Sequence, residues 1–165
     1  MVFSSTTFLF LFLPVVLIAY YNPFIKSLAF KNAVLILSSI FFYAWGEPIY
    51  VLLMLGSILA NWFLGLIIDK NRENGKSKAA LIISVIVNIG MLFVFKYLTF
   101  TLKNINALLN TDINTLNITL PIGISFFTFQ AMSYVIDVYR RDGEVQKNPC
   151  NVALYISFFP QLIAG

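Results

Sequence analysis

The stretch from residue 113 to 136 carries no charge, yet it is not uniformly apolar. Gln130, Ser133 and Asp137 recur at i, i+3 and i+7, the spacing that places side chains on one face of a helix, with Tyr134 beside them. Polar groups inside a bilayer are expensive and seldom face lipid. Such a stripe therefore faces a bundle interior or a water-filled cavity. It either holds neighbouring helices together by hydrogen bonds or lines a path for a polar substrate. The residues alone leave both open, and Asp137, at the end of the stripe, also fits a solvated carboxylate.

Arg140, Arg141 and Lys147 follow directly. A guanidinium fork matches phosphate oxygens in pairs. These three residues could meet a phosphate-bearing acyl donor from the cytosol, such as coenzyme A or a carrier pantetheine, and they also fit a plain topology signal. Other chemistry is excluded. The chain has no His and a single Cys, Cys150. No Ser-His-Asp or Cys-His set can be assembled, no His/Cys metal cluster exists, and no disulfide can close within the chain. Cys150 reads as an inert thiol or a palmitoylation site. No Gly-rich phosphate loop follows a strand.

Helices long enough to cross a bilayer must position these residues. Apolar residues make up 59% of the chain and charged residues 11%, with a mean hydropathy of +0.85. A soluble domain carries about 25% charged residues, so there is too little polar surface here to coat a globule in water. Mostly apolar runs of about 20 residues, the length a helix needs to cross a bilayer, predict spans near 5–22, 28–46, 48–68, 79–97 and 120–138, with Lys31 able to snorkel at the entry of the second. An open sixth segment runs over 148–165. The first run lacks a basic leader and a small-x-small site, so it reads as an uncleaved span. Pro48 and Pro121 fall where helices are expected to begin, and Thr119 is placed to cap the fifth span. Leu98, Leu102, Ile105 and Leu109 share one face, with Lys103, Asn104, Asn106 and Asn110 on others. This pattern predicts a short helix on the membrane surface.

The charges test this count. With the N-terminus outside, Lys26, Lys31, Lys70, Arg72, Lys76, Lys78, Arg140, Arg141 and Lys147 fall inside, and only Lys96 and Lys103 outside. Alternate loops agree, as the bias of basic residues to the cytoplasmic side requires. The net charge of +4 is thus mostly a topology signal, and no nucleic-acid partner is expected. The fold class is all-α, a polytopic transmembrane bundle, in one domain over 1–165. Gly56, Ala60 and Gly65 in span three allow close helix approach, and Asn61 between them is expected to bond to a neighbouring helix. Tyr43, Trp45 and Tyr50 flank Gly46-Glu47-Pro48 and fit an interfacial belt. Glu47 is read there as solvated or as a substrate contact. Asn117-Ile-Thr119 matches a glycosylation sequon.

Four segments occur in a familiar order. They are Met-Val-Phe-Ser-Ser at the start, Phe41-Phe-Tyr-Ala-Trp-Gly-Glu-Pro48, Leu120-Pro-Ile-Gly-Ile-Ser-Phe-Phe-Thr-Phe-Gln130, and Ser157-Phe-Phe-Pro-Gln-Leu-Ile-Ala-Gly165. With these the chain resembles the amino-terminal part of a membrane-bound O-acyltransferase, closest to the bacterial alginate O-acetyltransferase branch. The teichoic-acid D-alanine transfer protein is a related branch. The resemblance implies about eleven helices around a chamber. It also implies a cytosolic donor, acetyl-CoA or an acyl carrier, and an accepting hydroxyl on an extracytoplasmic polysaccharide. A histidine deep in the chamber acts as general base in that family.

This chain has no histidine, so no catalytic residue carries over. A candidate chamber-lining role carries to Ser125 and Gln130, joined by Ser133, Tyr134 and Asp137 from the stripe. The expected setting is the cell membrane, with several passes. The expected companions are the lipid bilayer, the remaining half of the fold and an extracytoplasmic acetyl-transfer protein. The chain alone is expected to be inactive. The alternative is a non-catalytic scaffold or a small solute-passing bundle.

Overall fold

The computed structural model describes residues 5–25, 27–73, 75–111, 113–114 and 119–162. Lys26, Asn117 of the sequon and residues 163–165 lie outside them. Among the described residues the chain is all-helical. A π-helical turn, Phe8–Phe12, leads into α1, Leu13–Tyr20; α2 is Leu28–Gly46 and α3 Tyr50–Lys70. α4, Lys76–Leu92, passes through a second π-helical turn, Phe93–Tyr97, into α5, Leu98–Leu109. α6 is Ile124–Arg140, α7 Pro149–Ser157 and α8 Phe159–Leu162. Among the described residues, three helices are long and apolar enough to cross a membrane: α2, α3 and the continuous run Lys76–Leu109.

Several expected boundaries move, each for a local reason. α1 begins at a widened turn, where Leu13 N–H reaches back to Phe8 O. Pro14, in its first turn, has no N–H to give to the ladder. Phe8–Tyr20 is shorter than the expected first span and ends at Tyr21, which leaves the helical region (φ −91°, ψ 15°). Pro48 and Ile49 form a turn and α3 starts at Tyr50, because Glu47 leaves the helical region (φ −138°, ψ 71°). The expected surface helix at 98–110 is not separate. It continues α4, with Leu98 N–H bonding to Phe93 O across the π turn.

The fifth expected span starts at Ile124, with Gly123 as its N-cap in the left-handed region (φ +73°). Thr119 and Pro121 therefore precede the helix and neither caps it. A Cβ at Gly123 would also lie 3.1 Å from Leu162 Cδ2 and 3.2 Å from Leu162 O, so both backbone and space demand glycine. The open sixth segment is broken into α7 and α8, because Phe158 (φ −54°, ψ 111°) leaves the helix between them. Pro160 then sits early in α8, where its missing N–H costs little.

Packing centres on α3, α4 and α6. The α6 face Phe127, Ala131, Tyr134, Val135, Val138 joins Met54, Ile58 and Ile68 of α3 in the larger core. A smaller aromatic core holds Phe8, Phe12, Phe42 and Phe159. Between α3 and α4, Asn61 Nδ2 donates to Asn88 Oδ1 (3.2 Å) and Asn88 Nδ2 to Asn61 Oδ1 (2.8 Å). Ser84 Oγ adds a third bond to Asn61 Oδ1 (2.9 Å). The expected cross-helix bond of Asn61 is thus present, and both amides are buried. Of the two glycines in α3 only Gly65 makes a close approach. Its Cβ position lies 3.0 Å from Tyr134 Cε1 and Oη, whereas Gly56 faces open space.

Candidate functional site

Three of the four sequence segments that carry the resemblance meet in space. α8 lies against α2, where Phe159 N–H donates to Ser39 Oγ (3.2 Å, buried) and the Phe159 ring packs on Phe42 (centroids 5.9 Å). Ser39 Oγ in turn donates to Leu35 O (2.7 Å). Next to it, Leu162 presses on Gly123, and Gln130 Nε2 donates to Gln161 Oε1 (3.3 Å). Tyr43 closes the group with its ring edge-on to Phe127 (6.3 Å). Among the described residues, Tyr43 Oη, Thr128 Oγ1 and Gln130 Oε1 are buried without a hydrogen-bond partner. A buried polar atom left unpaired costs about 1–3 kcal/mol, so each of the three, one on α2 and two on α6, is a group that calls for a polar companion.

The rest of the stripe leads to a second feature. A pocket of about 310 Å³ is lined by Tyr134, Asp137, Gly143, Glu144, Gln146, Asn151 and Tyr155, with Val138 and Val152 as apolar wall. Its roof is the loop after α6, held by side chains of the bundle. Gln146 N–H donates to Tyr134 Oη (3.2 Å), and Trp62 Nε1 donates to Gln146 O (2.9 Å). Asn151 Nδ2 donates to Gln146 Oε1 (2.9 Å). The loop starts at Arg141, which takes the left-handed conformation (φ +68°) that ends many helices. The N–H groups of Asp142 and Gly143 then both return to Asp137 O (3.0 and 3.2 Å).

The structure therefore divides the residues singled out from sequence. Tyr134 is buried and Asp137 half-buried, both at the pocket. Gln130 is half-buried at the contact with α8, and Ser133, half-buried, lies between them along α6. The buried face of α6 is a neighbouring one that shares only Tyr134 with the stripe. Ser125 stands apart from Gln130. Its Oγ accepts from Lys96 Nζ (3.3 Å) in a groove of about 420 Å³ with Pro121, Gly123 and Phe129. Arg140, Arg141 and Lys147 are exposed beside the pocket and do not line it, and Arg140 Nε pairs with Asp142 Oδ2 (3.2 Å). Around the Gly46-Glu47-Pro48 turn, Trp45 is exposed, but Tyr43 is buried and Tyr50 Oη donates to Thr119 O (3.0 Å). Those two tyrosines pack helices together more than they form a belt.

Sequence reasoning missed Trp62, Gln146, Asn151 and Tyr155. Trp62 acts through the Gln146 carbonyl, Asn151 through the Gln146 side chain, and Tyr155 lines the pocket, contacts that no periodicity reveals. The one available signal was Gly65, the small residue that admits Tyr134.

Comparison with known proteins places this geometry. The chain is 35% identical to the peptidoglycan O-acetyltransferase of Helicobacter pylori, aligned over all of this chain and 36% of that protein. It is 40% identical to the probable alginate O-acetylase AlgI of Pseudomonas aeruginosa, over all of this chain and 32% of that protein. The corresponding protein of Pseudomonas syringae is 37% identical, again over the whole chain and 32% of its own length. No family model matches, and no solved structure matches. The chain spans about a third of the length of the curated relatives it matches. These full-chain matches bear out the resemblance to the alginate O-acetylase-like membrane-bound O-acyltransferases carried by the four segments.

Proposed function

We propose that this chain is part of a membrane O-acyltransferase that moves an acyl group, acetyl in the first instance, from a cytosolic donor to a hydroxyl of an extracytoplasmic polysaccharide. The observation that carries the reading is the full-chain identity of 35–40% with relatives named as O-acetylases of alginate and peptidoglycan. The three unpaired polar atoms where the motif segments meet support it, because a chamber handling a polar acceptor must offer such groups. In this reading Gln130, Ser133, Tyr134 and Asp137 face the acyl-transfer chamber, and Ser125 lines its opposite mouth.

The donor is acetyl-CoA or an acyl carrier. Arg141 and Lys147 take its phosphate at the rim of the Asp137 pocket, with Arg140 partly occupied by Asp142. The chain contains no His, so the base that would deprotonate the acceptor comes from the length of the relatives that this chain does not span. The 165 residues alone are inactive on this account. An extracytoplasmic acetyl-transfer protein is the natural companion.

The topology that serves this reaction has the N-terminus outside and about five crossings of the plasma membrane. In it α1 and α6 complete the set begun by the three long helices. The basic residues support that orientation, since seven of those described, Lys70, Arg72, Lys76, Lys78, Arg140, Arg141 and Lys147, flank the α3–α4 turn and the loop after α6.

The test uses inverted membrane vesicles carrying the full-length parent protein, with radiolabelled acetyl-CoA supplied outside, which is the cytosolic face. Label accumulating as base-labile ester on the enclosed polysaccharide supports the proposal. No label above vesicles lacking the protein, with either acetyl-CoA or acyl carrier as donor, overturns it.

A further inference from the structure

The loop between α6 and α7 carries much of what the Asp137 pocket offers a ligand. Gly143, Glu144 and Gln146 line the pocket, and Arg141 and Lys147 stand exposed beside it. A loop holds a binding geometry only when other groups tie it down. Both ends of this one are closed by local bonds. The N–H groups of Asp142 and Gly143 return to Asp137 O, and Asn148 Oδ1 accepts from Cys150 N–H (2.9 Å) at the start of α7. Between these ends Val145 packs on the larger core. Among the described residues, the hydrogen bonds that tie this middle part to the bundle all run through Gln146.

Gln146 is gripped from three helices. Tyr134 Oη of α6 accepts its N–H (3.2 Å), Trp62 Nε1 of α3 donates to its carbonyl (2.9 Å), and Asn151 Nδ2 of α7 donates to its Oε1 (2.9 Å). Tyr134 and Asn151 also line the pocket, whereas Trp62 does not. The Trp62 ring is half-buried against the larger core, so its N–H reaches the loop from a fixed base. Its neighbour Asn61 is bonded to Asn88, which holds this turn of α3 against α4.

We infer that Trp62 is a positioning residue for the Asp137 pocket. It stands outside the pocket and acts through Gln146. With Tyr134 it fixes the Gln146 main chain at both N–H and carbonyl, and so holds Glu144, Gln146 and the adjoining Lys147 in place before a ligand arrives. Groups ordered in advance bind more tightly, because the ordering cost does not fall on the binding step. The inference rests on the reading above, in which the phosphate of the acyl donor lands on Arg141 and Lys147 at this rim.

Donor kinetics of the full-length parent protein in inverted vesicles test this, with acetyl-CoA or an acyl carrier, whichever the unaltered protein uses. Trp62→Phe keeps a ring in the core and removes the indole N–H. Its KM for the donor should rise about fivefold, the equivalent of one net hydrogen bond, with kcat within about twofold. A purely structural tryptophan gives the other pattern, less folded enzyme and a lower apparent kcat at unchanged KM. If Trp62→Phe does not fold, benzothienylalanine in place of Trp62 keeps the bicyclic ring, replaces N–H by sulfur, and should give the same split. Tyr134→Phe, which loses only the hydroxyl that Gln146 uses, should also raise KM. The double variant should raise it by less than the product of the single effects, because both act on one residue, and a full product would overturn the shared grip. Trypsin cleavage after Lys147 in detergent reads the loop without activity and should be severalfold faster in each variant. Unchanged KM or unchanged cleavage overturns the inference and leaves the proposed reaction standing. An unaltered protein that transfers acetyl from neither donor refutes the proposed reaction, and the inference with it.

Discussion

At the scale of single residues, glycines and unpaired hydroxyls make the sharpest statements. Gly65 exists to let Tyr134 reach Gln146 N–H. Gly65→Val should push the ring aside, break that bond and distort the pocket, at about 1–3 kcal/mol of stability. Gly56→Ala, facing open space, should be near neutral, so thermal unfolding of the two variants in detergent should separate cleanly. Tyr43 Oη and Thr128 Oγ1 lose no partner when removed. Tyr43→Phe and Thr128→Val should therefore change stability by less than about 1 kcal/mol. A larger loss in the same unfolding measurement would show that these hydroxyls are already paired.

Arg141 holds a left-handed conformation that glycine adopts more cheaply. Arg141→Gly should gain up to about 1 kcal/mol in stability. If the proposed function holds, the same change in the full-length protein should raise the KM for the acyl donor, a split that a purely structural Arg would not give. None of these features except Gly65 could be anticipated, because each depends on what another segment brings to the same spot.

At the scale of elements, the sequence was most legible where a helix is continuous and bounded by charge. The expected span at 28–46 coincides with α2, Leu28–Gly46, and the expected 48–68 lies two residues from α3. It was least legible where proline or glycine acts through geometry. Pro121 and Thr119 suggested a helix start, but Gly123 sets it, because Leu162 and the left-handed turn leave room for nothing larger. Hydropathy alone also could not separate α7 from α8, since the break at Phe158 changes direction and not polarity.

The amide pair between α3 and α4 gives a prediction at this scale. Asn88→Leu removes one partner from each Asn61 amide atom, leaving Oδ1 with Ser84 Oγ and Nδ2 with Ser57 O, and should cost about 1 kcal/mol, within the range for polar pairs in membranes. Adding Asn61→Leu should recover part of the loss. A double-mutant cycle with no coupling would mean that the pair does not lock the two helices in register.

At the scale of the whole molecule, a single native thiol reports orientation. Cys150 is exposed at the start of α7, just after the basic loop Arg140–Lys147. With the N-terminus outside and five crossings, it faces the cytosol. A membrane-impermeant maleimide should label it in inverted vesicles and not in intact cells, and the reverse pattern would invert the topology. The polar stripe was visible in the sequence because its period survives any packing. The pocket below it was not, because its roof is a loop backbone pinned by Trp62 and Tyr134 from two helices.

The central claim is that the gene containing this chain serves O-acetylation of a polysaccharide outside the membrane. The most direct measurement is the ester-linked acetyl content of the extracytoplasmic polysaccharides in source cells with the gene intact and deleted. The account predicts loss of O-acetyl groups from a polysaccharide on deletion and their return on complementation with the full-length gene. Unchanged O-acetyl content in every extracytoplasmic polysaccharide fraction would contradict it.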